Sequence, residues 1–222
     1  MFDHQHPYPP FLFEQATRWI VGTLPPPRFT QGILRPGDVD FCYGSRDGQL
    51  WPILDRIYGL NLSFETTPAA VEERKAFLRK EKIGICDMVA RADRKKIDAS
   101  DQGMQNIRLR DLVGLLQRYT RVQRLLFTGG NSKNGPEYLF RRHLRDYGIR
   151  LERVSDTIPR IHRFRMPSDT GQGRLITTVS LTAPSGSANR AIGGLPEYKT
   201  RKAKDPNYTV MDFRVEQYRS FF

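Results

Sequence analysis

Residues 181–190, LTAPSGSANR, end an apolar run in a loop of small, hydroxyl-bearing residues that finishes on Asn189 and Arg190. Pro184 cannot donate to a central strand, Gly186 permits a tight turn, and Ser187 is placed to cap a following helix. Backbone amides and hydroxyls at such a strand-to-helix turn suit an anion or a nucleic-acid backbone. Pro184, Ser185, Gly186, Ser187, Asn189 and Arg190 are the residues expected to touch it, although an idle connector would have a similar composition. A second polar cluster, Asn131, Ser132, Lys133 and Asn134, follows another apolar run and suits either backbone phosphates or a solvated turn. Asp87 lies near the end of the apolar stretch 83–91, IGICDMVAR, where its carboxylate could cap a helix or loop. Phe41 and Tyr43 share the parity of an extended chain, so they either stack on a base or pack under the neighbouring loop. Ser100 and Asp101 fall in a loop that could cover a crevice. Arg160, His162, Arg163 and Arg165 form a basic cluster that could reach a polyanion or simply make a basic surface.

Composition narrows the ligand. The chain has 222 residues, with 36 Lys and Arg against 24 Asp and Glu, for a formal charge of +12. That balance favours a polyanionic partner through counterion release and steering, with nucleic acid first and an anionic membrane surface as the rival. No stretch has the apolar length of a membrane span and no leader-like segment opens the chain, so a soluble intracellular, cytoplasmic protein is expected. Two cysteines, Cys42 and Cys86, are too few for a thiolate metal site and read as small buried thiols. His4 and His6, without a third ligand nearby, read as surface residues. No metal or cofactor is expected.

The elements that would position these residues follow from punctuation and periodicity. Residues 1–17, with three prolines and alternating aromatics, read as an arm laid over the domain rather than a core element. Residues 18–24, RWIVGTL, form a buried strand that must open into a stiff loop at Pro25-Pro26-Pro27. Asp47-Gly48 marks a turn, and Leu50, Ile53, Leu54, Ile57 and Tyr58 recur at helical spacing. Residues 68–82 read as an amphipathic surface helix opened by Pro68. A strand at 83–91, a long loop and a helix over 107–119 capped near Asn106 follow. Then come a strand at 124–130, a helix from Pro136 to Gly148, and strands at 149–154 and 174–182 joined by a linker over 158–173. A helix begins at Ser187, and the tail from 201 to 222 ends in a docking helix. Strands alternating with helices predict an α/β fold, a three-layer α/β/α sandwich with a mostly parallel central sheet. The loops at 22–29, 87–94, 128–134 and 182–190 should then gather beyond the carboxyl ends of the strands, where such sheets bind ligands. The division expected is an arm over 1–17, one domain over 18–200 and a basic, aromatic tail over 201–222.

Five short motifs then occur in a telling order: GTLPP at 22–26, YGSRDGQLWPIL at 43–54, GICDMVARADR at 84–94, FTGGNSKNG at 127–135 and APSGSANR at 183–190. This order and spacing resemble the uracil-DNA glycosylase superfamily, most closely the branch of hypoxanthine and mismatch-specific uracil glycosylases, over residues 18–195. The resemblance implies a monofunctional glycosylase that flips a deaminated base, uracil or hypoxanthine, out of double-stranded DNA and hydrolyses its glycosidic bond as a monomer without a cofactor. It implies a base pocket built from Gly22, Thr23, Leu24, Pro25, Tyr43, Asp87 and Asn131, and DNA contacts from Lys133 and the 184–190 loop. In that branch the water is oriented by an Asn shortly before an aromatic pair; the corresponding place here holds Asp47 or Gly48, which makes Asp47 and Asp87 the candidate catalytic carboxylates. Two departures stand out. Leu24, which cannot activate water, occupies a position where the family often has a polar residue, and Ala183 replaces the His or Asn that frequently heads the last motif.

The chemistry fits these residue types. Glycosidic cleavage builds positive charge on the sugar and negative charge on the departing base, so a carboxylate on one side and amide or hydroxyl donors on the other lower the barrier. Flipping costs a few kcal/mol, and a loop such as 184–190 can fill the gap left in the duplex. The alternative is a DNA-binding or damage-sensing protein on the same fold that lacks catalysis, a reading that Leu24 and Ala183 favour.

Overall fold

The computed structural model describes residues 1–167 and 173–222. In chain order the strands are β1 (Phe2–Gln5), β2 (Arg18–Val21), β3 (Ile83–Ile85), β4 (Val89–Arg94), β5 (Met104–Leu109), β6 (Arg124–Phe127), β7 (Glu152–Ser155), β8 (Arg160–Met166) and β9 (Arg174–Ser180). The α-helices are α1 (Pro27–Thr30), α2 (Leu50–Tyr58), α3 (Pro68–Lys80), α4 (Leu112–Arg118), α5 (Pro136–Asp146), α6 (Asn189–Gly193), α7 (Pro196–Lys204) and α8 (Val210–Arg219). A six-stranded sheet runs β3-β2-β6-β9-β8-β7, and a three-stranded sheet runs β1-β4-β5. In the larger sheet β3, β2, β6 and β9 pair in parallel, while β8 and β7 return antiparallel at one edge.

Strand parity divides the core into two layers. Trp19, Val21, Leu125 and Phe127 face α4 and α5 in one apolar cluster. Ile20, Leu126 and Val179 face α2 and α3 in the other, with Tyr218 of α8 added to it. Both sets are buried, as expected of parallel strands that are apolar on both faces and covered by helices on each. The mostly parallel α/β architecture predicted from the sequence is the one observed. Local chemistry sets the helix ends. Pro68 and Pro136 occupy first turns, Gly59 takes a left-handed φ of 63° after α2, and Thr209 with Asp212 forms a reciprocal cap on α8.

Several expectations are corrected. Residues 83–91 are two strands rather than one. The chain leaves the main sheet after β3, crosses Cys86–Met88, and enters the smaller sheet as β4, with Met88 N–H donating to the Gly22 carbonyl. The loop expected after it contains β5, which pairs with β4. Asn106 does not cap a helix; it sits in β5 with a φ of 47° and donates to Asp93, and Asp111 caps α4 instead. Of the linker expected over 158–173, residues 160–166 form β8, and 168–172 lie outside the described residues. In β8, His162, Phe164 and Met166 turn inward while Arg163 and Arg165 stay exposed. His162 therefore does not extend a basic surface; it is buried against Arg141 Nη2 at 2.7 Å. The helix expected from Ser187 is broken into α6 and α7 around Gly194-Leu195, and Ser187 makes no capping bond. Helix α3 is not purely superficial, since Arg74 is fully buried with its guanidinium 5.3 Å from the Trp51 ring centroid.

The largest correction is at the amino terminus. Phe2–Gln5 is a strand paired antiparallel with β4, and both expected surface histidines are buried. The alternation of polar and aromatic residues there is the period of a strand, and the prolines come only after it. His4 Nδ1 accepts from Arg94 Nε at 2.7 Å. Burial, with the adjacent Arg94 cation, pushes the His4 imidazolium down to about 4 from 6.5.

Because the folded value lies below the unfolded one, His4 contributes stability that is complete above pH 6.5 and is lost as pH falls toward 4. The loss should approach about 3 kcal/mol. Thermal melts of the wild type between pH 7 and 4 should steepen over this window, and His4→Asn, which retains an acceptor for Arg94, should flatten the slope.

Candidate functional site

A crevice of about 440 Å³ opens where the parallel strands end. Thr23, Leu24 and Pro25 reach it from the loop after β2, Asp87 from β3, Thr128 from β6, and Pro184, Ser185, Gly186 and Ser187 from β9. This is the rim expected for a parallel α/β sheet.

The floor is a buried carboxylate. Asp87 is 5% exposed. Its Oδ1 accepts from the Gly22 amide at 2.7 Å and the Tyr43 hydroxyl at 2.7 Å, and its Oδ2 from His6 Nε2 at 2.9 Å. Tyr8 N–H donates to His6 Nδ1, so the ring proton sits on Nε2 and points at Asp87. Position 22 favours glycine: a Cβ there would collide with the Tyr43 hydroxyl and lie 2.9 Å from both Asp87 Oδ1 and Thr128 Oγ1. Burial first, and then the Asp87 charge, push the Tyr43 phenol well above its ordinary range, so it remains a donor.

Tyr43 and Phe41 do not project from an extended segment. The chain turns at Phe41 and Gly44, Tyr43 adopts a φ of 58°, and the two rings separate. Phe41 enters the core beside Trp51 and Phe11, whereas Tyr43 swings into the crevice. A left-handed tyrosine costs of order 1–3 kcal/mol and persists because its hydroxyl is held at both Asp87 and Thr128.

Asp47 stands at the mouth. Its carboxylate is 66% exposed, 3.6 Å from Arg28 Nη2. The turn that carries it is built on Asp38, which is fully buried and accepts from Arg28 Nε and Nη2 at 2.8 and 2.7 Å and from the Arg35 and Arg46 amides. Burial would raise that carboxyl, but the Arg28 pair and the two amides outweigh it and hold it at about 2. Across the crevice the turn is zipped to the last loop, with Gly48 bridging Ser185 and the Gln49 amide donating to the Pro184 carbonyl at 2.9 Å.

Helix α8 fixes the last loop from behind. Arg214, fully buried, donates through Nε to the Ala183 carbonyl at 3.1 Å, through Nη2 to the Ser185 carbonyl at 2.9 Å, and through Nη1 to Asn189 Oδ1 at 2.8 Å and to Gln49. Asn189 therefore has its carbonyl oxygen turned to Arg214, while Ser185 and Ser187 hydroxyls lie 3.0 Å apart at the surface of the loop. Gly186 and Arg190 are exposed.

Two expected contributors fall elsewhere. Asn131 and Lys133 are exposed in the loop after β6 and do not line the crevice. Their neighbour Asn134 is buried and donates to the Asp101 and Met104 carbonyls at 3.0 and 3.1 Å. Asp101 itself reaches the loop after β2, where Oδ1 accepts from Thr23 Oγ1 at 2.6 Å. Burial dominates its environment and raises it to about 6, despite the Thr23 bond and the Arg94 cation. Arg28, Asp38 and Arg214 were not singled out from the sequence, and His6 was read there as a surface residue. Charge or aromatic alternation is their only local signal, since neither shows which residue each will meet.

Two substitutions check this construction. Gly22→Ala should destabilise the protein by about 1–3 kcal/mol, because Tyr43 and Asp87 must separate; an unchanged melting temperature would contradict the packing. Arg214→Met should cost about 2–4 kcal/mol and expose the 183–189 loop to protease, since buried carbonyls lose their donors.

No protein-family model matches the chain, and no curated protein matches it. Among solved structures it is similar to a solution NMR structure from Methanosarcina acetivorans, described as a "putative uracil DNA glycosylase". The likeness covers 97% of this chain and 99% of that one, at 16% identity and a TM-score of 0.54. It establishes a shared fold, an α/β assembly of helices about a mainly parallel central sheet.

Proposed function

We propose that this protein is a DNA glycosylase of the uracil-DNA glycosylase superfamily, acting on a deaminated base such as uracil or hypoxanthine in duplex DNA as a monomer. The observation that carries the reading is the Asp87 floor: a buried, donor-clasped carboxylate beneath a crevice framed by the 22–26 and 183–190 motifs. The similar fold of the M. acetivorans protein and the basic balance of +12 support it.

In this reading the base flips into the crevice. A carboxylate offers roughly four acceptor sites. Three are taken in Asp87, which leaves one for an N–H on the edge of the base. The backbone amides of residues 22–25 and the Ser185 and Ser187 hydroxyls are donors for the charge that develops on the departing base. Tyr43 closes one wall. Asp47, beside Arg28 at the mouth, places a negative charge where it offsets the positive charge that develops on the sugar. Ser185 to Ser187 at the tip of the last loop enter the duplex, whereas Pro184, expected to touch DNA, is buried behind them, and Arg190 and Lys133 meet phosphates. A second reading, DNA binding without catalysis, is favoured by one observation: Leu24 lines the crevice at the place where a water-activating group would stand.

Purified protein incubated with duplexes containing uracil, hypoxanthine or xanthine, followed by alkaline cleavage, should yield strand breaks at the modified position. Asp47→Ala should slow excision about 10²- to 10⁴-fold. Salt-dependent duplex binding with no abasic product at excess enzyme would select the second reading.

A further inference from the structure

The crevice has a neighbour. A second cavity of about 500 Å³ lies beyond Thr128, which lines both. Asp101 lines the second cavity and Thr23 the first, and their hydrogen bond joins the two walls. The segment that delivers Asp101 is anchored at several points: Arg94 Nη1 donates to the Ser100 carbonyl at 2.6 Å, Asn134 donates to the Asp101 carbonyl, and the Gly103 amide donates to the Ser100 carbonyl at 3.1 Å. Only Oδ1 of the Asp101 carboxylate is engaged; among the described residues no donor is found on Oδ2. A carboxylate with one unfilled oxygen, among the residues that line a cavity next to the base site, is what a hydrolytic water requires.

Resting on the glycosylase reading, we propose that Asp101 is the catalytic carboxylate that orients the attacking water, with Thr23 as its positioning residue. Asp101 thereby supplies from another segment the polar group that Leu24 cannot. A base in the first cavity leaves with the electron pair of its bond to the sugar carbon. Water approaches from the second cavity, its oxygen bonds to that carbon, and the proton it sheds ends on the departed base, so the reaction consumes only water. Asp101 accepts a hydrogen bond from the water and offsets the positive charge on the sugar.

The ionised form is required, so the rate should rise as pH passes through about 6, the value to which burial raises this carboxyl. The groups that face it are few. Thr23 and the Arg94 cation favour its charge, and Asp87 opposes it. Arg94 is itself flanked by Asp98 at 3.6 Å and by His4, which stays neutral above pH 4.

Single-turnover excision from whichever modified duplex the wild type cleaves tests this. Asp101→Asn should slow the step about 10²-fold or more, leave duplex affinity within about threefold, and remove the acid limb near pH 6. Its melting temperature at pH 7.5 should hold or rise, because a buried charge is removed. Thr23→Val should move the acid limb to higher pH, since a bond to the ionised form is lost, and Thr23→Ser should restore it. Wild-type rate and pH profile in Asp101→Asn would overturn the assignment while leaving the glycosylase reading intact. So would a slow Asp101→Asn that retains the acid limb or melts well below the wild type. A wild type that cleaves no substrate overturns both.

Discussion

The structure turns on the burial of one carboxylate. Asp87 sits where the chain leaves the main sheet for the smaller one, and an uncompensated charge there would cost several kcal/mol. Its compensation comes from three remote segments: the Gly22 amide at the end of β2, the Tyr43 hydroxyl from the loop before α2, and His6 from the stretch after β1. Each donor imposes a condition on its own segment. Residue 22 favours glycine, Tyr43 must accept a left-handed backbone, and the amino-terminal strand must dock on β4 so that His6 reaches inward. The crevice is the space these conditions leave open.

Arginine does a comparable job around it. Arg28 locks the Asp38 turn, Arg94 ties His4 to the segment bearing Asp101, and Arg214 holds the last loop from α8. The planar guanidinium, with several donors at fixed angles, is suited to gathering carbonyls and carboxylates from different segments. Arg74, Arg94 and Arg214 are almost wholly buried, so part of the basic excess is structural and unavailable to a polyanion. A charge of +12 therefore overstates the field at the surface, though Arg190 in α6 and Lys133 in the loop after β6 remain exposed.

The two cavities give the site a division of labour. The first is walled by the loops after β2 and β9 and floored by a carboxylate with three of its acceptor sites filled. The second is reached by a carboxyl with an unfilled oxygen, set on a segment whose backbone is held by Asn134 and Arg94. Burial penalises the charge of Asp101, and such a locally unfavourable group is the kind that active sites retain against stability.

Local pattern alone led to the mostly parallel sheet and the rim. Central strands such as RWIV and RLLF are apolar on both faces, proline and glycine punctuate the helices, and loops at the ends of parallel strands must converge. It also marked Asp87 as a residue at a strand end. Hairpin β4–β5 and strand β8 were hidden because their outward residues are polar or charged. RIHRFRM reads as a basic linker until alternate side chains are seen to point into the core. That Asp87 accepts from His6, and that Asp101 approaches Thr23, depends on how the chain folds in space. Those partners are 65 to 81 residues apart for Asp87 and Gly22 or His6, and 78 for Thr23 and Asp101. At such separations no local periodicity carries information about contact; the pairing follows from the crossing of the chain between two sheets and the need of buried polar groups for partners.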